Sequence, residues 1–148
     1  MAARFRGEYL HTIDKKGRMS VPAKFREGLG ELFMFSKGPD HCLYAYPMEE
    51  WERIEERICG SEVFSKAQNR AFVRNFFSSA GEGETDAMGR VLVPSALREY
   101  AGLSDKMEIV VIGVANRVEI WSAEQWAAYC DDNAEAMDIS EGMEIFEI

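Results

Sequence analysis

The amino-acid sequence predicts an α+β protein, mainly β, built from two copies of one small module with flanking helices. Three observations lead to this prediction. A short turn motif recurs 72 residues later in the chain, β-prone segments surround each copy, and amphipathic segments follow each copy. Internal repeats of this kind indicate that a structural unit has been duplicated.

The repeat centres on residues 12–23, with the sequence Thr-Ile-Asp-Lys-Lys-Gly-Arg-Met-Ser-Val-Pro-Ala. The identities at the offset of 72 are Asp14/Asp86, Gly17/Gly89, Arg18/Arg90, Val21/Val93, Pro22/Pro94, Arg26/Arg98 and Glu27/Glu99. A second match, at an offset of 75, relates residues 46–51 to residues 121–126. Two matched blocks in the same order are hard to obtain by chance, so we infer a duplicated module.

The first copy begins with residues 7–13, whose alternating, β-prone side chains predict a strand. Residues 14–17 predict a turn, because Asp14 can accept hydrogen bonds from backbone N–H groups and Gly17 tolerates a positive φ. A return strand stops at Pro22, which cannot donate to a ladder but suits the first turn of a helix. The elements predicted after the turn are a strand at 18–21, a helix at 22–29, strands at 32–36 and 42–46, and a helix at 48–59.

The second copy predicts the same cycle. A linking helix at 63–77 has an apolar face made of Val63, Phe64, Ala67, Ala71, Phe72 and Phe76. The elements that follow are a strand at 78–85, a turn at 86–89, a strand at 90–93, a helix at 94–101, and a hairpin of strands at 106–114 and 118–121. Ser122 and Gln125 have capping-box spacing, which predicts a helix running to about residue 137. The tail contains Ile139, Met143, Ile145 and Phe146, and we expect it to dock weakly or stay mobile.

The two short hairpins are expected to need each other. An isolated two-stranded hairpin is marginally stable in water, and its apolar positions need another sheet to cover them. We therefore predict that the two hairpins interlock into one small barrel with approximate two-fold symmetry. The predicted organisation is a first module at 1–54, linking helices at 55–77, a second module at 78–126, and a helix end with an acidic tail at 127–148.

Composition indicates a soluble globular protein of 148 residues, with 47% hydrophobic and 29% charged side chains. No apolar run approaches the roughly 20 residues of a membrane span, and the N-terminal residues lack the apolar stretch of a secretory signal. We therefore expect a cytoplasmic protein without membrane contact. Cys42, Cys59 and Cys130 form no CxxC pair, and His11 and His41 have no ligand-like spacing. Free thiols are expected, with neither a metal nor a cofactor.

Charge is distributed unevenly along the chain. The net charge is −9, yet residues 1–30 contain seven Lys and Arg residues against three acidic ones. Residues 119–148 contain nine acidic residues and no Lys or Arg. Because salt screens exposed charges beyond about 8 Å, the local sign of charge matters more than the total. The basic N-terminal end is compatible with a nucleic-acid partner despite the acidic overall charge.

Catalysis is not indicated. The sequence has no GxSxG, P-loop, GxGxxG or HExxH motif and no evident pairing of a nucleophile with a base. We predict that the protein is not an enzyme.

Several motifs resemble those of the MraZ family of bacterial regulators, which is associated with the division and cell-wall gene cluster. They are Arg4-Phe5-Arg6-Gly7, the stretch from Ile13 to Pro22, Asp86-Ala87-Met88-Gly89-Arg90, and Glu119-Ile120-Trp121. The resemblance covers nearly the whole chain. It implies two AbrB/SpoVT-like swapped-hairpin modules in a double-psi-like barrel with pseudo-two-fold symmetry. It also implies a nucleoid-associated, ring-forming homo-oligomer that binds repeated short promoter sites on double-stranded DNA, chiefly as a repressor. The departures are a few extra residues before Phe5 and the uncharged Ala87-Met88 pair in the second turn.

The residues themselves favour the same site. A tight β-ribbon can enter the major groove of DNA, where arginine pairs with O6 and N7 of guanine. We predict Arg18 as the base-reading residue or the closest phosphate contact, with Lys15 and Lys16 contacting phosphates. The lesser DNA-binding candidates are Arg4, Arg6 and Arg90. Asp14, Gly17, Asp86 and Gly89 are predicted to form the turns and orient the arginines.

Less specific interpretations stay open at this stage. Each aspartate can simply pair with the arginine of its own turn, and the two lysines can be ordinary solvated turn residues. Trp51, Trp121 and Trp126 are more typical of a core than of base stacking, and RNA-binding modules use exposed aromatic platforms. The alternative function is an oligomeric protein-interaction module with no direct DNA readout. Since one turn with three cations should bind DNA weakly, several turns on one assembly are expected to act together.

Overall fold

The computed structural model describes residues 2–148. The strands are β1 (Phe5–Thr12), β2 (Arg18–Ser20), β3 (Leu32–Lys37), β4 (Leu43–Pro47), β5 (Gly81–Glu84), β6 (Arg90–Leu92), β7 (Glu108–Ala115) and β8 (Arg117–Ser122). The helices are α1 (Ala23–Leu29), α2 (Met48–Cys59), α3 (Ala67–Ser79), α4 (Ser95–Ala101), α5 (Ala123–Asp132) and α6 (Ile139–Ile145). Short 3₁₀ turns occur at Pro39–His41 and Val63–Ser65.

The strands form two antiparallel sheets, but the helices contain more residues than the strands, so the structure is α+β without being mainly β. Six strands lie in the order β1-β7-β8-β4-β3-β5, and β2 pairs with β6 in a separate two-stranded ribbon. β1 and β5 stand at the two ends of the six-stranded order, so its hydrogen bonding does not close on itself. The α+β prediction is therefore confirmed, whereas the strand pairing does not confirm the predicted barrel, because the six-stranded sheet is open.

The two arms of each predicted hairpin separate soon after the turn. β1 pairs with β7 along its whole length, and β2 pairs with β6 from the other repeat. The arms of the first hairpin meet at a single bridge between Ile13 and Met19, and Thr85 and Val91 form the equivalent bridge. A three-residue strand has too few ladder bonds to be stable alone, which explains why each return strand takes its partner from the other copy.

One hydrophobic core joins both repeats. Met19 and Val91, on the inner face of the β2–β6 ribbon, are 3% and 1% exposed and belong to the same buried cluster as residues from both halves of the chain. Trp51 is buried against the ring of Phe76, and Trp121 is buried in a second, smaller cluster. The core prediction for these two tryptophans is confirmed.

The third tryptophan and the Glu-Ile-Trp motif also have structural partners. Trp126 is half-buried and packs on Trp121, with ring centroids 5.1 Å apart. Glu119 is buried, accepts a hydrogen bond from Trp121 Nε1 at 3.0 Å, and forms an ion pair with Arg117 at 2.7 Å. Pairing of this kind lets a carboxylate remain in the interior.

The linking region differs from its prediction. The segment breaks at Lys66, whose backbone is extended, and the helix runs past residue 77 to Ser79, so that the predicted strand at 78–85 shrinks to β5. Only part of the predicted apolar face meets the core, where Phe76 packs on Trp51. Val73 is buried, whereas Phe64 and Phe72 of the predicted apolar face are 54% and 56% exposed.

The C-terminal region also differs. Ser122 Oγ accepts from the Gln125 N–H at 3.0 Å, as the predicted cap requires, but α5 ends at Asp132 and not near residue 137. The tail then folds into α6, which Asp138 caps by accepting from the Glu141 N–H at 3.1 Å. All other predicted elements lie within two residues of their predicted bounds.

Three further features of residues 2–148 are their possible metal ligands, their helix lengths and their cysteines. Across residues 2–148, no cluster of three or more His, Cys, Asp or Glu side chains could hold a metal ion. No helix in the same range is both long and apolar enough to cross a bilayer. The three cysteines are free, and burial raises the pKa of the Cys42 thiol to about 12.

Candidate nucleic-acid interface

The first turn is held by one carboxylate. Asp14 Oδ1 accepts from the backbone N–H groups of Lys16 at 2.8 Å and Arg18 at 2.9 Å. Asp14 Oδ2 accepts from Arg18 Nε at 2.9 Å. Gly17 closes the turn with a φ of 84° and donates its N–H to the Asp14 carbonyl at 3.0 Å. The aspartate therefore forms the turn and orients the arginine at the same time.

The second turn repeats this geometry. Asp86 Oδ1 accepts from the N–H groups of Met88 and Arg90, both at 2.9 Å, and Asp86 Oδ2 accepts from Arg90 Nε at 3.0 Å. Gly89 has a φ of 77°. The ion pair that was an alternative interpretation of each Asp and Arg is thus present in both turns.

Hydrogen bonding lowers the pKa of both turn aspartates. The pKa of Asp14 lies below its ordinary value of 3.8, chiefly because the Arg18 backbone N–H donates to the carboxylate, with smaller contributions from the Arg18 side chain and the Lys16 N–H. The pKa of Asp86 is lowered for the equivalent reason, first by the Arg90 N–H. Both carboxylates are therefore ionised at neutral pH.

Each arginine keeps its outer amino groups unpaired. Within each guanidinium only Nε donates to an aspartate, and the Nη groups of both side chains make no hydrogen bond within residues 2–148. The Arg18 and Arg90 side chains are 28% and 36% exposed. A guanidinium held through Nε presents a fixed planar fork, which suits bidentate recognition of an acceptor pair.

The β2–β6 ribbon brings the two arginines onto one face. Arg18 lies opposite Leu92, and Ser20 lies opposite Arg90. Because side chains alternate along a strand and the intervening residues are buried, these four side chains share the outer face. Arg18 and Arg90 are diagonal neighbours, for which backbone separations of about 7–8 Å are typical. The sequence predicted that the two hairpins interlock, but it did not indicate that Arg18 and Arg90 would share one face.

The two ends of the ribbon differ in chemistry. Lys15 and Lys16 are exposed beside Arg18. At the other end Ala87 is exposed and Met88 is 69% exposed, next to Arg90. Leu92, opposite Arg18, is 54% exposed. The first turn therefore has a basic tip and the second an apolar tip, while Leu92 adds an exposed apolar side chain at the end of the ribbon that holds Arg18.

Two further arginines brace the turns, although the sequence pattern indicated no role for them beyond their recurrence. Arg98 Nε donates to the Val93 carbonyl at 2.9 Å, and its guanidinium lies so close to Gly17 that a Cβ there would overlap it. Arg26 does the same for the Val21 carbonyl, also at 2.9 Å, and for Gly89. Each turn is thus supported by a helix of the other repeat. The signal was the recurrence of both arginines at the repeat offset.

Backbone hydrogen bonds complete the exchange between repeats. The Val21 N–H donates to the Gly89 carbonyl at 2.9 Å, and the Val93 N–H donates to the Gly17 carbonyl at 3.0 Å. The turns are therefore rigid, which preorganises the arginines before any ligand binds.

The remaining predicted residues lie elsewhere. Arg4 and Arg6 are exposed at the start of β1, whereas the first turn follows its end, roughly 25 Å away along the strand. They line a surface cleft of about 340 Å³ together with Lys24, which the sequence analysis did not select. The structure thus groups Lys15, Lys16, Arg18 and Arg90 on the ribbon and separates Arg4 and Arg6 from them.

Comparison with known proteins also divides the chain into two copies of one unit. A family model described as "MraZ protein, putative antitoxin-like" matches residues 4–75 and again residues 76–144. A protein named Transcriptional regulator MraZ from Moorella thermoacetica is 51% identical over 145 residues, covering 97% of this chain and 99% of that protein. Proteins of the same name from Acetivibrio thermocellus and Desulfitobacterium hafniense are 49% identical over 140 residues and 57% identical over 125 residues. These alignments cover 94% and 84% of this chain, and 96% and 85% of the respective relatives.

Proposed function

The chain belongs to the MraZ family, and from that premise we propose that it is a sequence-specific, DNA-binding transcriptional regulator. The observation that carries the proposal is the outer face of the β2–β6 ribbon. It presents two arginines whose Nε groups are held by aspartates and whose Nη groups remain unpaired within residues 2–148. The relatives are named as transcriptional regulators, which supports a regulatory role rather than an enzymatic one.

The proposed readout takes place in the major groove. A two-stranded antiparallel ribbon fits this groove, and an arginine fork matches the O6 and N7 acceptors of guanine. Arg18 is the proposed base-reading residue, because it is held by Asp14 and flanked by exposed lysines. Lys15 and Lys16 contact phosphates, which positions the ribbon without reading sequence.

The second end of the ribbon contributes less charge. Arg90 is the lesser polar contact, since Ala87 and Met88 place no cation in its turn. Met88 in this turn, and Leu92 opposite Arg18 at the first end, are exposed and suited to apolar contact with thymine methyl groups. Arg4 and Arg6, with Lys24 in the same cleft, would contact backbone phosphate away from the ribbon.

The proposed modules are residues 1–54 and 78–126, with residues 55–77 as the link and residues 127–148 as an appended tail. The exchange of strands and of bracing arginines between the repeats supports swapped hairpins related by a pseudo-two-fold axis. On this proposal the hairpins and the larger sheet together approximate a double-psi-like barrel.

Assembly is part of the proposed mechanism. One ribbon neutralises few phosphates, and affinity scales with the number of phosphates contacted. A homo-oligomeric ring on repeated promoter sites would raise avidity by orders of magnitude when the spacings match. We expect this assembly to be cytoplasmic, associated with the nucleoid, and to repress the division and cell-wall gene cluster.

The decisive experiment compares Arg18→Ala with wild type on DNA from upstream of its own gene. Footprinting first locates the protected sites. Arg18→Ala should then weaken specific binding by roughly 5- to 150-fold at each site while leaving the thermal melt and the assembly mass nearly unchanged. Arg53→Ala is the matched control, because it removes an exposed arginine that is also paired with an acidic side chain but lies on α2. Wild-type DNA affinity in Arg18→Ala would show that Arg18 is not the base-reading residue.

Site number tests the role of assembly. Gel shifts with one, two and three operator copies should show a steep gain in affinity with each added site. Equal affinity for the three probes would contradict the avidity argument.

The alternative function is a protein-interaction module without DNA readout, favoured by the exposed acidic residues 131–148. Salt distinguishes the two functions. Ribbon-mediated DNA binding should fall steeply between low and moderate salt while sequence preference is retained.

A further inference from the structure

A basic cleft lies at the start of β1, beside α1. Its volume is about 340 Å³, and its lining consists of Arg4, Arg6, Gly7, Tyr9, Lys24 and Phe25. The three basic side chains are exposed, and no acidic residue belongs to the lining. Three positive charges therefore surround one concave surface in a protein whose net charge is −9.

The three cations have no anionic partner in the described part of the chain. None of them forms an ion pair within residues 2–148. Arg4 donates only to the preceding backbone carbonyl, at 3.3 Å. An adjoining cleft is lined by Arg4 and Lys24 together with Glu27 and Glu49, but Glu49 is paired with Arg53 instead. A cleft lined by one sign of charge concentrates ligands of the opposite sign.

Packing fixes the aromatic wall of the cleft. The Tyr9 ring meets the buried Phe25 ring edge-on, with centroids 5.2 Å apart, and Phe5 packs on the same ring at 5.7 Å. Gly7 has a φ of 102°, and a Cβ there would lie 3.3 Å from the Tyr9 ring. Glycine is suited to this position because it tolerates the positive φ and leaves the ring undisturbed. Tyr9 is half-buried and lines the cleft with part of its surface.

Size and charge indicate the class of ligand. The volume of about 340 Å³ corresponds to roughly a dozen water-sized groups, which suits a small molecule. Arginine and lysine are the side chains that proteins use to hold phosphate oxygens. A terminal phosphate carries a charge of about −1.5 to −2 at neutral pH, whereas each phosphodiester of DNA carries a single negative charge. Three cations around one cleft therefore match a terminal phosphate better than one phosphodiester.

We propose that this cleft binds a small organic molecule that carries a terminal phosphate group. Arg4, Arg6 and Lys24 hold the phosphate, and the organic part of the ligand lies against Tyr9. This site goes beyond the contact with the DNA backbone proposed above for the same basic side chains, because it is formed without DNA. It is also separate from the ribbon, since the first turn lies roughly 25 Å away along β1.

Phenyl phosphate is the probe that tests the ligand class. Calorimetric titration of the wild-type protein at fixed ionic strength should give a Kd of about 1 mM or tighter, as expected for a ligand of this size. Methyl phenyl phosphate has the same ring but is a diester, and it should bind weaker by about fivefold or more. Equal affinity for the two compounds would show that the cleft recognises only a single charge, as on the DNA backbone, and would overturn the proposal. Absence of phenyl phosphate binding would overturn it as well.

Variants of the lining test the location of the site. Arg6→Ala and Lys24→Ala should each weaken phenyl phosphate binding by about fivefold or more, because each removes a charged hydrogen-bond donor. Arg74→Ala is the matched control, since Arg74 is an exposed arginine on α3 that does not line the cleft. All three changes affect exposed side chains, so thermal melts should match wild type. An equal loss in Arg74→Ala, or wild-type affinity in Arg6→Ala and Lys24→Ala, would overturn the proposal.

Arg18 distinguishes this site from the ribbon. Arg18→Ala should bind phenyl phosphate as wild type does, because Arg18 is absent from the lining. Arg6→Ala should keep its sequence preference on a single-site DNA probe, because phosphate contacts do not read sequence. Loss of phenyl phosphate binding in Arg18→Ala would place the probe on the ribbon and overturn the phosphate cleft. Wild-type DNA affinity in Arg18→Ala would instead contradict only the proposed DNA readout.

Discussion

The two turns of this protein have the same backbone geometry and hydrogen bonds, but their tips have different side chains. In both, Oδ1 of the aspartate accepts two backbone N–H groups and Oδ2 holds the arginine Nε, at 2.9 Å in the first turn and 3.0 Å in the second. In both, a glycine with positive φ lies under an arginine from the other repeat. The tips differ: Lys15 and Lys16 in the first turn, Ala87 and Met88 in the second.

This difference separates what builds the turn from what the turn contacts. Residues that make the turn are the same in both copies, because each copy must fit against the other. Tip residues face solvent, where packing places few demands on them. The two turns are therefore interchangeable as structural parts but should be unequal as contacts with DNA.

The largest expected difference between the two turns is the loss of DNA affinity when their arginines are replaced. Loss of one bidentate guanine contact costs about 1–3 kcal/mol, or roughly 5- to 150-fold in affinity. Arg18→Ala should reach this range on a specific probe, and Arg90→Ala should cost less. Binding isotherms of both variants at one salt concentration give the ratio. Equal losses would mean that the lysines do not distinguish the two ends of the ribbon.

Replacing the turn glycines, in contrast, should cost the same free energy of unfolding in the two turns. Gly17→Ala and Gly89→Ala each force a side chain into the left-handed region, which costs about 1–2 kcal/mol, and each adds a clash with Arg98 or Arg26. Urea unfolding should reveal similar losses of stability for the two variants. Adding Arg98→Ala to Gly17→Ala should recover part of the loss by removing the clash. No recovery would contradict the bracing contact.

Exchange of the tips tests charge directly. Replacing Lys15 and Lys16 with alanine should reduce the slope of log affinity against log salt by about 1.8 if each lysine neutralises one phosphate. Ala87→Lys with Met88→Lys should increase the slope by a similar amount. Titrations at several salt concentrations measure both slopes. An unchanged slope after removal of the lysines would show that they are solvated turn residues that contact no phosphate.

The smallest effect concerns pH, and it should again be equal in the two turns. Because the folded-state pKa of each aspartate is depressed below 3.8, its contribution to stability is present above that pH and is lost as pH falls through the folded-state value. Asp14→Asn and Asp86→Asn should each melt below wild type at neutral pH. The difference should shrink as the pH falls below 3.8, and a constant difference in melting temperature would contradict the assignment.

The sequence by itself determined the local parts of this protein. Asp14 and Arg18 are four residues apart, so their turn depends on contacts that the chain makes with its nearest neighbours. Pro22 stops the return strand, Ser122 caps α5, and the duplication is visible as matched residues. The turns and most elements followed from these signals.

The sequence predicted that the two hairpins meet, but only the tertiary structure decided which of their strands pair and which other distant segments come together. Pairing of β2 with β6, bracing of Gly17 by Arg98, and the shared face of Arg18 and Arg90 join residues about 70 positions apart. The break at Lys66 and the separate tail helix were likewise missed, because an apolar pattern does not show which face finds a partner. Short-range turns carry their hydrogen-bond partners within the motif, whereas a three-residue strand is stabilised only by whichever distant edge remains unpaired in the folded chain.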